Sequence, residues 1–310
     1  MMAVKLKDLS KKKDSLAGGH RACAGCGPAI LLRQATLAVD DPLVVAFATG
    51  CMEVVTTIYP YTSWRIPYIH CAFENAGATM SGVETAYRSL KKQGKLPVNK
   101  EIKFIAFGGD GGTYDIGLQS LSGAMERGHN MVYICYDNEG YMNTGIQRSS
   151  ATPLGAATTT APAGKVVPGK QQNQKDLAAI IAAHHIPYVA QTSIHNWRDV
   201  VSKVQKAVSV NGPAFLNVLT PCHRGWRYPM EKTVGIAELA TETCFWPLYE
   251  VENGKYTINY KPKDKKPVEE WLKQQRRFEH LFNDENRKII GRLQDYVDER
   301  WNELLKRAEA

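Results

Sequence analysis

The chain has 310 residues, 44% of them hydrophobic and 23% charged, a globular composition that excludes disordered, collagen-like and mucin-like chains. Its 39 basic and 31 acidic residues leave a net charge of +8. That excess suits nucleic acid or an acidic protein partner, but no zinc finger, RNA-binding signature or basic-region helix is present, so no nucleic-acid partner is expected.

No stretch reaches the ~18 apolar residues of a membrane helix. No apolar segment follows the basic start MMAVKLKDLSKKKDS, so it does not read as a secretory signal. The expectation is a soluble cytoplasmic protein with no membrane partner. Lys11–Lys13 and the run Lys261, Lys263, Lys265 and Lys266 read as solvated surface.

Leu43–Ala48 is an apolar, β-prone run that breaks at Thr49-Gly50, and Tyr68–Phe73 is a second. Residues 75–94 read as a helix, with Met80, Val83, Tyr87 and Leu90 at three- and four-residue spacings. Ile102–Phe107 is a third strand, ended by Gly-Gly-Asp-Gly-Gly. A helix over 116–127 stops at Gly128, and Met131–Tyr136 is a fourth strand. Beyond it, residues 178–183 read as helix, 197–208 as helix and 214–219 as strand. This alternation predicts an α/β fold, a mostly parallel sheet with helices on both faces.

Residues 147–174 have no periodicity and are rich in Thr, Ala, Gly and Pro. Loops of that length are usually functional or mobile. From Val268 on, helix formers return with Trp271, Phe278, Leu281, Ile289, Ile290, Leu293, Val297, Trp301 and Leu304. They suit a helical tail packed on its own domain and equally a subunit contact. The expected organisation is one α/β domain over 1–260 and a helical extension over 261–310.

Gly109-Asp110-Gly111 ends a predicted strand and opens toward a helix. Ligands of open α/β sheets bind at that edge, where glycines let backbone N–H groups approach an anion beside a helix N-terminus. Asn138 lies 28 residues after Asp110, just past the next strand. With the carbonyl of Gly140 the three supply hard oxygen ligands, a set that suits magnesium bridging to phosphates. A nicotinamide site is disfavoured, because the G-x-G-x-x-G fingerprint and its ribose acid are missing. The order strand, GDG, helix, strand and Asn, with its second element in DNEGYMNTG, resembles the diphosphate-binding motif of thiamine diphosphate enzymes.

Seven cysteines at irregular spacing argue against a disulfide framework. Cys23 and Cys26 form a C-x-x-C in a glycine-rich loop, while Cys51 and Cys222 each follow a predicted strand. Four thiolates arriving from loops suit a four-iron cluster or zinc. A lone C-x-x-C also suits a redox dithiol. Cys71 and Cys135 lie inside apolar strands and Cys244 in a Thr-Cys-Phe-Trp run, so these three read as core.

The two constellations together resemble the β subunit of the 2-oxoacid:ferredoxin oxidoreductases, of the pyruvate synthase type built from separate subunits. The matching stretches include GHRACAGCG at 19–27, ATGCMEVVTTIYPY at 48–61, ENAGATMSGVETAY at 74–87, AFGGDGGTYDIGLQSLSGAMERGH at 106–129 and YDNEGYMNTGIQRSSATP at 136–153. GWRY at 225–228, WPLYEVENG at 246–254 and KPVEEWL at 266–272 extend the likeness over nearly the whole chain.

The resemblance implies that Cys23, Cys26, Cys51 and Cys222 ligate a [4Fe–4S] cluster, and that Asp110, Asn138 and the Gly140 carbonyl bind Mg2+. It places Gly109, Gly111, Gly112, Tyr141 and Thr144 around the diphosphate of thiamine diphosphate, with Cys51 touching both cofactors. Asn143 falls near the thiazolium and substrate, as the candidate catalytic residue. Many relatives carry an acid two positions after the second cysteine, where this chain has Pro28.

The implied reaction is oxidative decarboxylation of a 2-oxoacid, with pyruvate and coenzyme A as first choice and electrons passed to soluble ferredoxin. The implied partners are an α subunit completing the thiamine site and γ and δ subunits, one ferredoxin-like. The same scaffold acting on oxalate without coenzyme A is the alternative. A non-catalytic iron–sulfur carrier or a zinc-binding structural protein is more distant, since neither needs a magnesium–diphosphate clamp.

Overall fold

Six strands run parallel: β1 (Leu43–Ala48), β2 (Tyr68–Cys71), β3 (Lys103–Gly109), β4 (Val132–Asp137), β5 (Tyr188–Ser193) and β6 (Ala214–Leu219). In this computed structural model, which describes residues 5–96 and 101–309, they are joined by β7 (Tyr249–Glu252) and β8 (Lys255–Ile258) in one sheet ordered β2-β1-β3-β4-β6-β5-β7-β8. Strands β4, β5 and β6 are buried along their whole length. Burial on both faces explains why β4 and β6 read as continuous rather than alternating runs.

The antiparallel hairpin β7–β8 was not among the predicted elements. Its signal is present: Asn253-Gly254, both at positive φ (50° and 84°), is the dipeptide a two-residue hairpin turn demands. Strand β5 was missed for a different reason. Its Gln191, Thr192 and Ser193 are polar yet buried, so the apolar run is too short to stand out.

The helices are α1 (Leu6–Leu9), α2 (Gly27–Leu37), α3 (Cys51–Thr56), α4 (Ala76–Lys92), α5 (Leu118–Glu126), α6 (Leu177–Ala182), α7 (Trp197–Ser209), α8 (His223–Trp226), α9 (Thr233–Glu242), α10 (Val268–Leu272) and α11 (Arg287–Glu309). Their starts are chemically marked. Pro28 occupies the first turn of α2, where no intrahelical N–H is required. The side chains of Asp176 and Asn196 accept from the backbone N–H groups of Ala179 and Asp199 and cap α6 and α7.

The strands divide their side chains between two apolar layers. Phe47, Ile105, Phe107, Ile134 and Leu216 meet Leu31, Leu32, Val200 and Val204 of α2 and α7. On the other face Ala46, Phe104, Ala106, Tyr133, Cys135 and Phe215 meet Met80, Leu121 and Ile181 of α4, α5 and α6.

A third apolar cluster belongs to the C-terminal stretch. Val268, Trp271, Phe278, Leu281, Ile289 and Leu293 pack with Leu154, Trp226 and Trp246. Trp271 and Phe278 are fully buried, so these tail aromatics pack on their own chain and are not presented to a partner. The aperiodic stretch 147–174 is also partly interior. Ser149, Ala151, Thr152, Leu154 and Ala156 are buried, while Val166 and Val167 stand exposed at its tip.

Candidate functional site

The chain passes from β1 to β2 on one side and returns across to β3 on the other. That reversal opens a crevice at the carboxyl ends of β1 and β3. Thr49, Gly50 and Cys51 lie at its β1 side, Gly109 to Gly112 at its β3 side, and Asn138, Gly140, Tyr141, Met142, Asn143 and Thr144 follow from β4. These residues line one small cleft together with Phe73 and Tyr136. The sheet therefore gathers Cys51 and the predicted diphosphate residues at one edge. Asn143 and Thr144 are exposed at its rim.

Directly after Asp110 the chain makes a single wide π-helical turn, Gly111–Ile116, before α5 begins. Such turns recur at functional sites. Gly111 is a packing requirement here: a Cβ would overlap the Tyr141 ring, whose hydroxyl donates to the Gly111 carbonyl (3.0 Å) and lies 3.2 Å from Asp115 Oδ2.

Asp110 is buried and accepts hydrogen bonds from Ser149 Oγ at 2.5 Å and from the Asn138 backbone N–H at 3.3 Å. Burial pushes its carboxyl up to about 7, against the opposing pull of the Ser149 and Asn138 bonds, and the nearby Glu139 charge raises it further. The end of the Asn138 amide facing Asp110 lies 3.0 Å from Asp110 Oδ1 and 2.9 Å from the Gly140 carbonyl oxygen. Two acceptors at that spacing suit either an amide nitrogen or a cation held among three oxygens. The edge of an octahedron with ~2.1 Å metal–oxygen bonds is ~3.0 Å.

The cysteines fall into the two groups read from sequence. Cys26 precedes α2, Cys51 begins α3 and Cys222 precedes α8, and Cys23 is exposed in the same loop as Cys26. The loop docks tightly: a Cβ on Gly27 would stand 2.6 Å from the Pro221 carbonyl, which brings Cys26 beside the Cys222 segment. Burial pushes the Cys26 and Cys51 thiols up to about 12, and the nearby thiols raise both further, with Cys51 also within electrostatic reach of Asp110. The Cys222 thiol is raised by burial and eased by the N–H groups of Gly225 and Arg224.

Among the described residues no three His, Cys, Asp or Glu side chains converge as ligands of a single ion. Elsewhere, Cys135 and Cys244 are buried, and half-buried Cys71 donates to the Phe47 carbonyl at 3.1 Å.

Sequence reasoning missed the groups that support this edge. Ser149 and Thr152 come from the aperiodic stretch; Thr152 Oγ1 donates to the Glu139 carbonyl at 2.7 Å. Trp226 Nε1 donates to the Asn138 carbonyl at 2.7 Å. Glu139 is wholly buried and pairs with Arg277. The available signal was a Glu inside a glycine-bearing turn; Arg277, in the polar run Gln-Gln-Arg-Arg, carried none.

Residues 48–218 match the family model "Thiamine pyrophosphate enzyme, C-terminal TPP binding domain". The chain is 54% identical to pyruvate synthase subunit PorB of Thermotoga maritima, covering 98% of this chain and 96% of that protein. It is 55% identical to PorB of Methanocaldococcus jannaschii (93% and 96% covered). It is 42% identical to ketoisovalerate oxidoreductase subunit VorB of Pyrococcus abyssi (96% and 94%).

A solved structure of the 2-oxoglutarate:ferredoxin oxidoreductase from Magnetococcus marinus shares the fold, with a TM-score of 0.55 and 19% identity over 77% of this chain and 81% of that one. With its cleft at the β1/β3 crevice and relatives matched over almost their full length, the chain belongs to the β subunits of the 2-oxoacid:ferredoxin oxidoreductases, thiamine diphosphate-binding subunits of oxidoreductases that act on 2-oxoacids.

Proposed function

We propose that this chain is the thiamine diphosphate-, magnesium- and [4Fe–4S]-binding subunit of a complex that oxidatively decarboxylates pyruvate, with coenzyme A as acyl acceptor and ferredoxin as electron acceptor. The carrying observation is the convergence of Asp110 Oδ1 and the Gly140 carbonyl oxygen on the Asn138 amide, 3.0 and 2.9 Å away; with the amide oxygen turned inward, the three would offer a cation an oxygen set of octahedral edge length. Identity of 54–55% to two pyruvate synthase subunits, against 42% to a ketoisovalerate one, supports pyruvate. Thiamine diphosphate held here would supply carbanion stabilisation for decarboxylation, and a [4Fe–4S] cluster would supply one-electron transfer.

This chain's residues bind and orient. Asp110, Asn138 and the Gly140 carbonyl hold the metal, and Gly109, Gly111, Gly112, Tyr141 and Thr144 bound the diphosphate. Asn143, at the rim, faces the reacting end. Cys23, Cys26, Cys51 and Cys222 present four thiols in mutual electrostatic reach. Binding metal to the Cys26, Cys51 and Cys222 thiols, which burial holds protonated, releases their protons. The cleft is a half-site, so an α subunit closes it, and γ and δ subunits carry electrons onward.

The test is turnover of the complex purified with its partner subunits. Pyruvate, 2-oxoisovalerate, 2-oxoglutarate and oxalate are each supplied with and without coenzyme A, and reduction of a one-electron dye is followed. Fastest reduction with pyruvate and coenzyme A is expected. Coenzyme A-independent turnover of oxalate as the dominant activity would overturn the substrate assignment.

A further inference from the structure

The turn that carries Asn138 and Gly140 is held from outside by residues distant in sequence. Glu139, between them, has φ +61° and no exposed surface. That conformation is uncommon for Glu and persists only where the surroundings over-determine it.

All of its polar groups are engaged. Its N–H donates to Asp137 Oδ1 at 2.9 Å and its carbonyl accepts from Thr152. Its carboxylate accepts from Gln174 Nε2 at 3.2 Å and from Arg277 Nη2.

Arg277 lies in the 3₁₀ segment Arg276–Phe282 and is 2% exposed. Its guanidinium lies over Trp226 at 3.9 Å and Phe278 at 4.9 Å, and its Nε donates to Gln275 Oε1 at 2.9 Å. Its carbonyl accepts from the Ala157 N–H at 2.9 Å. Trp226, on which it stacks, itself donates to the Asn138 carbonyl. The Arg277 charge also acts on Cys222.

We propose that Arg277 is a positioning residue: the C-terminal segment uses its buried guanidinium to fix Glu139, and through it the metal-binding oxygens of Asn138 and Gly140. A planar fork clamped between aromatic rings sets the orientation of a carboxylate, which a flexible ammonium does not. This rests on the metal and diphosphate reading above.

Removing Arg277 alone would strand the Glu139 charge, so the informative variant is Glu139→Gln with Arg277→Met; replacing a buried ion pair by neutral groups is often tolerated. In the complex purified with its partner subunits, the readouts are thiamine diphosphate affinity by calorimetry at saturating Mg2+, iron per chain and Tm. The expected result is affinity at least tenfold weaker with iron content retained and Tm within a few degrees of wild type, a split that a merely structural ion pair would not give.

Should the double variant not assemble, Arg277→Lys keeps the charge and loses the fork, with affinity expected to fall at least threefold. Wild-type protein that binds no thiamine diphosphate with Mg2+ would overturn the functional reading and this inference with it. Wild-type binding with affinity within twofold in the variant overturns the inference alone.

Discussion

Gly111→Ala isolates the packing that shapes the cleft. The added Cβ would stand 2.5 Å from Cδ1 and 2.6 Å from Cζ of Tyr141, with Cε1 nearer still, against an ordinary contact of 3.4 Å or more. The ring must recede by about 1 Å, and its hydroxyl then leaves the Gly111 carbonyl and Asp115. Overpacking costs about 1–3 kcal/mol and the lost hydrogen bond about 1 kcal/mol, together about 2–4 kcal/mol. For a chain of this size that lowers Tm by roughly 3–6 °C.

Because Gly111 and Tyr141 both line the cleft, Mg2+-dependent thiamine diphosphate affinity is expected to fall at least tenfold. Thermal unfolding and calorimetry read the two effects. Gly291→Ala is the matched control: an exposed glycine in α11 whose added Cβ meets nothing within 4 Å, expected to stabilise by about 0.4–1 kcal/mol. A Gly111→Ala protein with wild-type Tm and affinity would refute the packing account.

Asp110→Ala is expected to abolish Mg2+-dependent thiamine diphosphate binding in the complex and leave iron content intact; wild-type affinity in calorimetry would contradict the metal assignment. Serine replacement of Cys23, Cys26, Cys51 or Cys222 is expected to lose iron, whereas Cys71, Cys135 and Cys244 variants that fold keep it. Iron retained in Cys222→Ser but lost in Cys71→Ser would reverse the ligand set. Trp271→Ala, deleting a fully buried ring stacked on Phe245, is expected to cost about 3–5 kcal/mol in the isolated chain by urea titration. An effect seen only in the complex would place that ring at a subunit contact instead. The isolated chain, reconstituted with cluster, Mg2+ and thiamine diphosphate, is expected to reduce no dye with pyruvate; turnover with no other subunit detectable by mass spectrometry would defeat the half-site reading.

The strand runs, the order of GDG before Asn138 and the division of cysteines between loops and strands are local patterns. They were legible because each is carried by residues close in sequence: a buried parallel strand needs a continuous apolar run, and a phosphate turn needs glycines. Asp110, Asn138 and Gly140 could be grouped because parallel strands put successive loops at one edge.

The supports were not legible. Ser149, Thr152 and Gln174 sit in a stretch with no periodicity, and a hydrogen bond to Asp110 or Glu139 leaves no trace in spacing. The polar strand end of β5 and the inward turn of Trp271 were settled by what surrounds them. Arg277 is the clearest case: 138 residues separate it from Glu139. An Arg beside Arg276 in a polar run reads as surface, and only the closing of the C-terminal segment over Trp226 makes it a buried counter-charge at the turn after β4.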